Sequence, residues 1–338
     1  MKVIYLVRFS LLLTVCVIML GAYTRLADAG LGCPDWPGCY GHMTVPSSTQ
    51  QLMRADQLFP GLTVDAPKAW LEMIHRYFAG TLGMVVFLIT ALSLREKSIP
   101  KTLPVMISVL VVFQALLGMW TVTLKLMPLV VMGHLLGGFT LLCALSFLHW
   151  LLTLSIHRDS HVAASSSLRF LALGTLLVVI GQIAIGGWTS SNYAALMCTD
   201  LPICEGNWVQ HLDFRTAFTP VHFGHDSYEF GVLEYGARMT IHVTHRIGAL
   251  LTMLMVLTLA YHCFRHPSGQ LRTAAIRLSL VLAMQILLGV SNVMFSLPLL
   301  NAVAHNLGAA VLLVMVLHTN YLLRQPDSVP VLNKESIQ

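Results

Sequence analysis

Four histidines and one glutamate carry the chemistry open to this chain. His75, His134, His245 and His305 stand inside or beside long apolar runs, where an imidazole is costly to bury and is kept for a partner, a proton path or a metal. Glu72 precedes His75 by one helical turn and so shares its face, whereas the matching place before His245 is held by His242. The neighbourhoods repeat. Glu72-Met73-Ile74-His75-Arg76 answers to His242-Val243-Thr244-His245-Arg246, and Gln114 with His134 twenty residues on answers to Gln285 with His305 twenty residues on. Gly21-Ala22-Tyr23-Thr24, leading to Cys33 and Cys39, answers to Gly186-Gly187-Trp188-Thr189, leading to Cys198 and Cys204. A near-constant offset of about 165–171 residues across these landmarks is the mark of an internal duplication. Each half carries two marked histidines and one cysteine pair.

The elements that must position them are membrane helices. Of 338 residues 56% are hydrophobic and only 10% charged, and several apolar runs reach the roughly 20 residues needed to cross a hydrocarbon core. The pattern predicts an all-α integral membrane protein with eight spans, about 3–24, 70–94, 102–124, 129–154, 168–190, 237–263, 273–296 and 299–323, four in each half. Lys2 and Arg8 before the first apolar run and Ala27-Asp28-Ala29 after it resemble a signal peptide. The corresponding stretch at 168–190 lies mid-chain, however, so the first span reads as a retained helix. Lys2, Arg8, Arg95, Lys97, Lys101, Arg158, Arg169, Arg265, Arg272, Arg277, Arg324 and Lys334 fall at one side of these spans, and the long loops 25–69 and 191–236 hold few cations. The expectation is a multi-pass membrane protein with both termini cytoplasmic and both long loops outside. The net charge of +5 is thereby a topology signal and gives no reason to invoke nucleic acid.

His75, His134, His245 and His305 all fall one or two turns into helices that enter from the loop side, so their rings belong at similar depths, two per half. Four residues after each stands a small residue, Ala79, Gly138, Ala249 or Ala309, which leaves an uncrowded surface on the same face where a flat cofactor could lie. Close helix packing through small residues accounts for any one of these histidines taken singly. Four at matched depths point to a bis-histidine pocket in each half, suited to haem iron, while two nitrogens without a third ligand make a poor zinc site. Arg76 and Arg246, each directly after a ligand candidate, would either pair with haem propionates or snorkel at the helix end. Glu72 would relay protons or stabilise positive charge on a substrate, or else form an i,i+4 salt bridge with Arg76.

Seven cysteines form two populations. Cys16, Cys143 and Cys263 lie in or at the ends of apolar spans and act as small hydrophobes. Two Cys-x5-Cys pairs, in the loops expected outside, read as disulfides, with redox or metal chemistry as the rival. Gln114 and Gln285 read as interhelical hydrogen-bonding groups. His222 and His225 read as solvated loop residues with metal binding as the alternative. His42, His149, His157, His161, His211, His262, His266 and His318 have no matched partner in the other half.

Taken together, Gly21 to Leu26, Gly32-Cys33-Pro34-Asp35-Trp36-Pro37-Gly38-Cys39, Glu72-x-x-His75-Arg76, His134 with Gly137-Gly138, His245-Arg246 and His305 resemble the haem A synthase family over roughly residues 10–323. The resemblance implies two pseudo-twofold-related four-helix bundles, residues 1–157 for the substrate haem O and 158–338 for a resident haem b. It implies oxidation of the C8 methyl of haem O to the formyl group of haem A, for use in haem–copper terminal oxidases, by successive hydroxylations and loss of water from a gem-diol. His245 and His305 would be the axial ligands of the haem b iron, His75 and His134 would face haem O together with Arg76, and Glu72 would be the catalytic carboxylate. Arg246 remains a propionate candidate, and Cys33, Cys39, Cys198 and Cys204 match the family's loop pairs. Implied partners are haem O, membrane lipid, a haem O synthase, an electron-transfer partner or oxidase assembly factor, and a second copy of the chain. A b-type cytochrome working as a quinol oxidoreductase would use the same four histidines without Glu72. A duplicated transporter would explain the repeat alone.

Overall fold

Eight helices dominate the computed structural model, which describes residues 2–96, 101–154, 164–202, 204 and 206–324. Lys97, Arg158, Lys334, His157, His161 and the boundary at 157–158 lie outside the described residues. Among the described residues the chain is helical, without a β-strand. The long helices are α1 (Lys2–Leu26), α3 (Ala66–Arg95), α4 (Thr102–Thr123), α5 (Pro128–Leu154), α6 (Ser166–Ser191), α8 (Tyr235–Arg265), α9 (Gly269–Met294) and α10 (Leu299–Leu322), and all eight are long and apolar enough to cross a membrane. Two short helices, α2 (Thr49–Leu58) and α7 (Phe214–Ala217), lie in the long loops and were not foreseen from the apolar pattern.

Local signals set the helix starts. Ser48 caps α2 through a reciprocal capping box with Gln51. Asp65 caps α3 by accepting from the Lys68 N–H, with Pro67 in the first turn where its missing N–H costs nothing, and Ser165 caps α6 by accepting from Leu168. The two helices after the long loops start earlier than the apolar pattern indicates, at Ala66 and Tyr235. At 30 and 31 residues they are the longest, about 45 Å at 1.5 Å per residue, against a hydrocarbon core of about 30 Å. Their extra length lets the first turns meet the loops, and Glu72 and His242 follow as the seventh residue of α3 and the eighth of α8.

Helix α1 packs on α3, α3 on α4, α4 on α5 and α5 back on α1. Likewise α6 packs on α8, α8 on α9, α9 on α10 and α10 on α6, and the two rings meet where α1 and α5 touch α10 and α5 touches α6. One apolar core holds Val7, Val86, Ile89, Ile107, Leu145 and Leu148. The other holds Ala172, Val256, Leu259, Leu271, Leu278 and Val316 and takes in Phe139 and Leu142 of α5. Large apolar side chains such as Leu12, Phe170, Leu280 and Leu300 point outward and stay exposed, as a lipid-facing surface requires. Four spans separate the two long loops, an even number, so both lie at the same end of the molecule.

Candidate functional site

Each marked histidine rests on a glycine of the membrane-spanning helix preceding its own. A Cβ placed on Gly21 of α1 would lie 2.8 Å from Cε1 of His75 on α3, and one on Gly186 of α6 would lie 3.0 Å from Cε1 of His245 on α8. The corresponding distances are 3.5 Å from Gly118 of α4 to His134 on α5 and 3.1 Å from Gly289 of α9 to His305 on α10. The rings thus lie where the helix backbones are bare. His75 and His134 stand on α3 and α5 of one ring of helices, and His245 and His305 on α8 and α10 of the other. The four histidines therefore form two pairs, one per ring of helices.

Nδ1 of His75, His134 and His305 is buried without a hydrogen-bond partner, a costly condition at about 1–3 kcal/mol per group. Paired imidazoles with unspent nitrogens fit a planar metal macrocycle ligated from both sides, such as haem. Among the described residues, no three His, Cys, Asp or Glu side chains come together as an ion site, so the donor set does not fit zinc.

Glutamines support this arrangement, and one of them escaped the sequence reading. Gln182 on α6 donates from Nε2 to the His245 carbonyl at 2.9 Å, and the same Nε2 lies 3.0 Å from His245 Nδ1. Gln285 on α9 donates to the His305 carbonyl at 3.0 Å and lies 3.5 Å from His305 Nε2. Gln114 on α4 fills the space beside Gly137 of α5. The surface that the sequence reading expected four residues after each histidine lies instead three residues after it for three of the four. There Gly137, Gly248 and Gly308 make room for the glutamines. Gln182 is detectable in sequence only as the start of Gln182-x3-Gly186, the spacing shared by Gln114-x3-Gly118 and Gln285-x3-Gly289.

Above the first pair, Glu72 is buried and doubly held. Oε2 accepts the Cys33 N–H at 3.0 Å, and Oε1 accepts from Arg76 Nη2 at 2.5 Å. Arg76 Nη1 donates to the carbonyls of Asp35 at 2.9 Å, Pro37 at 3.2 Å and Gly38. The second pair repeats the plan with different chemistry: Arg246 donates to His242 Nε2 at 3.2 Å and to the carbonyls of Asp200 and Cys198 at 2.6 Å each. Both guanidinium groups thereby seat a cysteine loop on a helix, a task that the propionate and snorkelling expectations did not include. The i,i+4 pairing of Glu72 with Arg76 is present.

The loops are joined as expected, Cys33 to Cys39 and Cys198 to Cys204. The first packs with Tyr40, Val45, Ala55, Ala69 and Met73 into a small core over α3. Burial, then the carboxylates of Asp65, Asp35 and Glu72, push the Tyr40 phenol above its ordinary pKa, so it stays protonated and donates to the Thr63 carbonyl at 3.1 Å. In the second loop Trp188 Nε1 donates to Ala217 at 2.8 Å, and Asp213 caps α7 while its N–H donates to Thr240 of α8 at 2.8 Å. Arg25 joins the two halves at this end. It donates to the Ser190 carbonyl at 3.0 Å and lies 4.1 Å over the Tyr193 ring. The structure brings His225 near Tyr228 and assembles no ion site around His222 or His225 among the described residues.

Comparison with known proteins was decisive at the level of family. Residues 4–317 match the family model COX15-CtaA, described as cytochrome oxidase assembly protein. A "Heme A synthase" of Shewanella oneidensis is 54% identical over 331 residues, covering 97% of this chain and 98% of the relative. Proteins of the same name from Caulobacter vibrioides and Nitrosospira multiformis are 26% and 25% identical, covering 92% and 93% of this chain and 92% and 91% of the relatives.

Proposed function

The chain belongs to the cytochrome oxidase assembly protein family, and on that footing we propose that it acts as a haem A synthase, oxidising the C8 methyl of haem O to a formyl group. The observation that carries this reading is an asymmetry. Two matched histidine pairs sit under two matched arginine-clamped loops, yet one pair has a buried carboxylate above it, Glu72, and the other has His242. A pair of identical electron-transfer sites has no use for that difference. An enzyme with a substrate site and a cofactor site does.

In this reading residues 158–338 hold haem b between His245 and His305, and residues 1–157 hold haem O against His75 and His134. Haem b supplies one-electron transfer when bound. The protein does the rest with its own groups. Gly21, Gly118, Gly186 and Gly289 keep the helix interfaces open beside the rings. Cys33 N–H and Arg76 hold the Glu72 carboxylate in one position, so that it can take a proton from the oxidised substrate or stabilise positive charge developing on it. Methyl to formyl removes four electrons and adds one oxygen atom; with water as the oxygen source it releases four protons, and the four electrons would leave singly by way of haem b to an external electron acceptor, so a fixed proton acceptor at the substrate is a chemical need. The two disulfide loops are pinned by Arg76 and Arg246 beside Glu72 and His242, where they would cover the haems. The lysine and arginine distribution supports an inner-membrane orientation with both termini cytoplasmic and the cysteine loops outside. Haem O would then arrive from a haem O synthase within the same membrane.

The test is production of haem A in a bacterial host that forms haem O and lacks haem A. Reverse-phase chromatography of membrane haems should show haem A only when this chain is expressed. Haem O persisting as the sole product, with the protein present in the membrane, would remove the assignment.

A further inference from the structure

The two histidine pairs are not equally secured. A four-part pattern runs through the helices: Gln114-x3-Gly118 faces His134-x2-Gly137, Gln182-x3-Gly186 faces His245-x2-Gly248, and Gln285-x3-Gly289 faces His305-x2-Gly308. The fourth copy departs from it at both variable places. Val17-x3-Gly21 faces His75-x2-Phe78. We propose that Gln182 and Gln285 are positioning residues that hold the histidine-bearing turns of the C-terminal pair in place, and that His75, which has no glutamine facing it, is the iron ligand that lets go when haem O enters and haem A leaves. The proposal rests on the reading that each histidine pair ligates one haem.

The glutamine and the second glycine act as a unit. A Cβ on Gly248 would lie 2.2 Å from Gln182 Oε1, one on Gly308 would lie 2.2 Å from Gln285 Oε1, and one on Gly137 would lie 1.8 Å from Gln114 Nε2. Only with the side chain absent can the amide reach across the helix seam. Having reached, Gln182 and Gln285 tie the histidine-bearing turn to the neighbouring helix through its carbonyl. Gln182 touches the His245 ring directly as well. In an apolar interior such a bond is costly to break, because the freed groups find no water. A partner beyond the metal is also what fixes the orientation of a ligating imidazole.

At His75 both components are replaced. Val17 has no side-chain amide to reach the turn that bears His75, and Phe78 is 40% exposed. Among the described residues the α1–α3 seam therefore lacks a side-chain amide brace at this level. The distribution of braces matches what the two pockets must do. A resident cofactor must stay, and both of its ligands are braced. A substrate must come and go, and neither of its ligands is held in the same way: Gln114 fills the space beside Gly137 with its Nε2 unbonded, and His75 has no glutamine facing it at all.

Carbon monoxide is the probe, since it binds a ferrous bis-histidine haem only when one ligand dissociates. The experiment uses the purified, reduced, full-length protein loaded with both haems and follows each haem by its own absorption bands. In the unaltered protein, carbon monoxide should bind the haem O or haem A population and leave haem b unreacted. Gln182→Val should make haem b reactive. Val17→Gln/Phe78→Gly, which installs the missing brace, should slow carbon monoxide binding in the N-terminal half by about five- to thirtyfold, the worth of one or two hydrogen bonds. Equal reactivity of the two haems in the unaltered protein would overturn the proposal, as would unreactive haem b in Gln182→Val. These two outcomes overturn the proposal even if the double variant fails to fold, and unslowed carbon monoxide binding in a folded double variant would remove His75 as the ligand that leaves. A protein that carries no haem O or haem A would instead bring down the functional reading itself.

Discussion

Glu72→Gln should stop haem A formation, lowering its rate by about a hundredfold or more, while leaving haem b bound at its normal level. The substitution is chosen because glutamine keeps the size of the side chain and an oxygen to accept the Cys33 N–H now bonded to Oε2. Arg76 loses its ionic partner but keeps the carbonyls of Asp35, Pro37 and Gly38, so it is not left as an unpartnered buried charge, the condition that makes broken ion pairs strongly destabilising. What disappears is the negative charge and the capacity to take a proton. Truncation to alanine would confound the result, because it would also unseat the Cys33 loop. Haem A is read by reverse-phase chromatography and haem b by the pyridine haemochrome spectrum. Undiminished haem A in the variant would leave Glu72 as a loop anchor and nothing more.

The second large effect is expected at the other pair. His305→Met should destroy the bis-histidine spectrum of haem b, either by loss of the haem or by a change of ligand that raises its reduction potential. His134→Met, at the matching position of the other half, should leave that spectrum intact and act on haem O binding. The comparison is well controlled: both rings lie seven residues into helices that follow tight connections, α10 and α5, and each rests on a glycine of the preceding helix, Gly289 or Gly118. Identical effects of the two substitutions on haem b would mean that the pairs are not assigned to separate haems as proposed. An unchanged spectrum in His305→Met would remove His305 from the ligand set.

Much of this was legible in the chain before any coordinates. Eight spans could be counted because a bilayer demands about 20 apolar residues in each, and the duplication made His75, His134, His245 and His305 stand out from eleven other histidines. Boundaries slipped where α3 and α8 run beyond the apolar slab, since the turn around Ala66 and that around Tyr235 are amphipathic and carry no hydropathy signal. Helices α2 and α7 were missed for the same reason. They are short, and their signals are the caps Ser48 and Asp213. The pairing of Arg76 with Glu72 could be read from charge and spacing, but the other partners of Arg76 and Arg246 are backbone carbonyls of a loop, which no residue pattern encodes. Gln182 was overlooked because a single mid-span glutamine has an adequate explanation in helix packing. Its meaning appears only when Gly248 is seen to make room for it. The small residues four places after each histidine shared the right face, yet it was the glycine three places after that the glutamine needed.

Haem composition of the purified full-length protein, co-expressed with a haem O synthase, tests the central claim most directly. Two unlike haem sites in one chain predict one haem B per chain together with one haem O or haem A per chain, with haem A present among the extracted haems. Haem B alone, at one or two per chain, would make this a b-type cytochrome. The complete absence of haem would contradict the histidine pairs as ligands altogether.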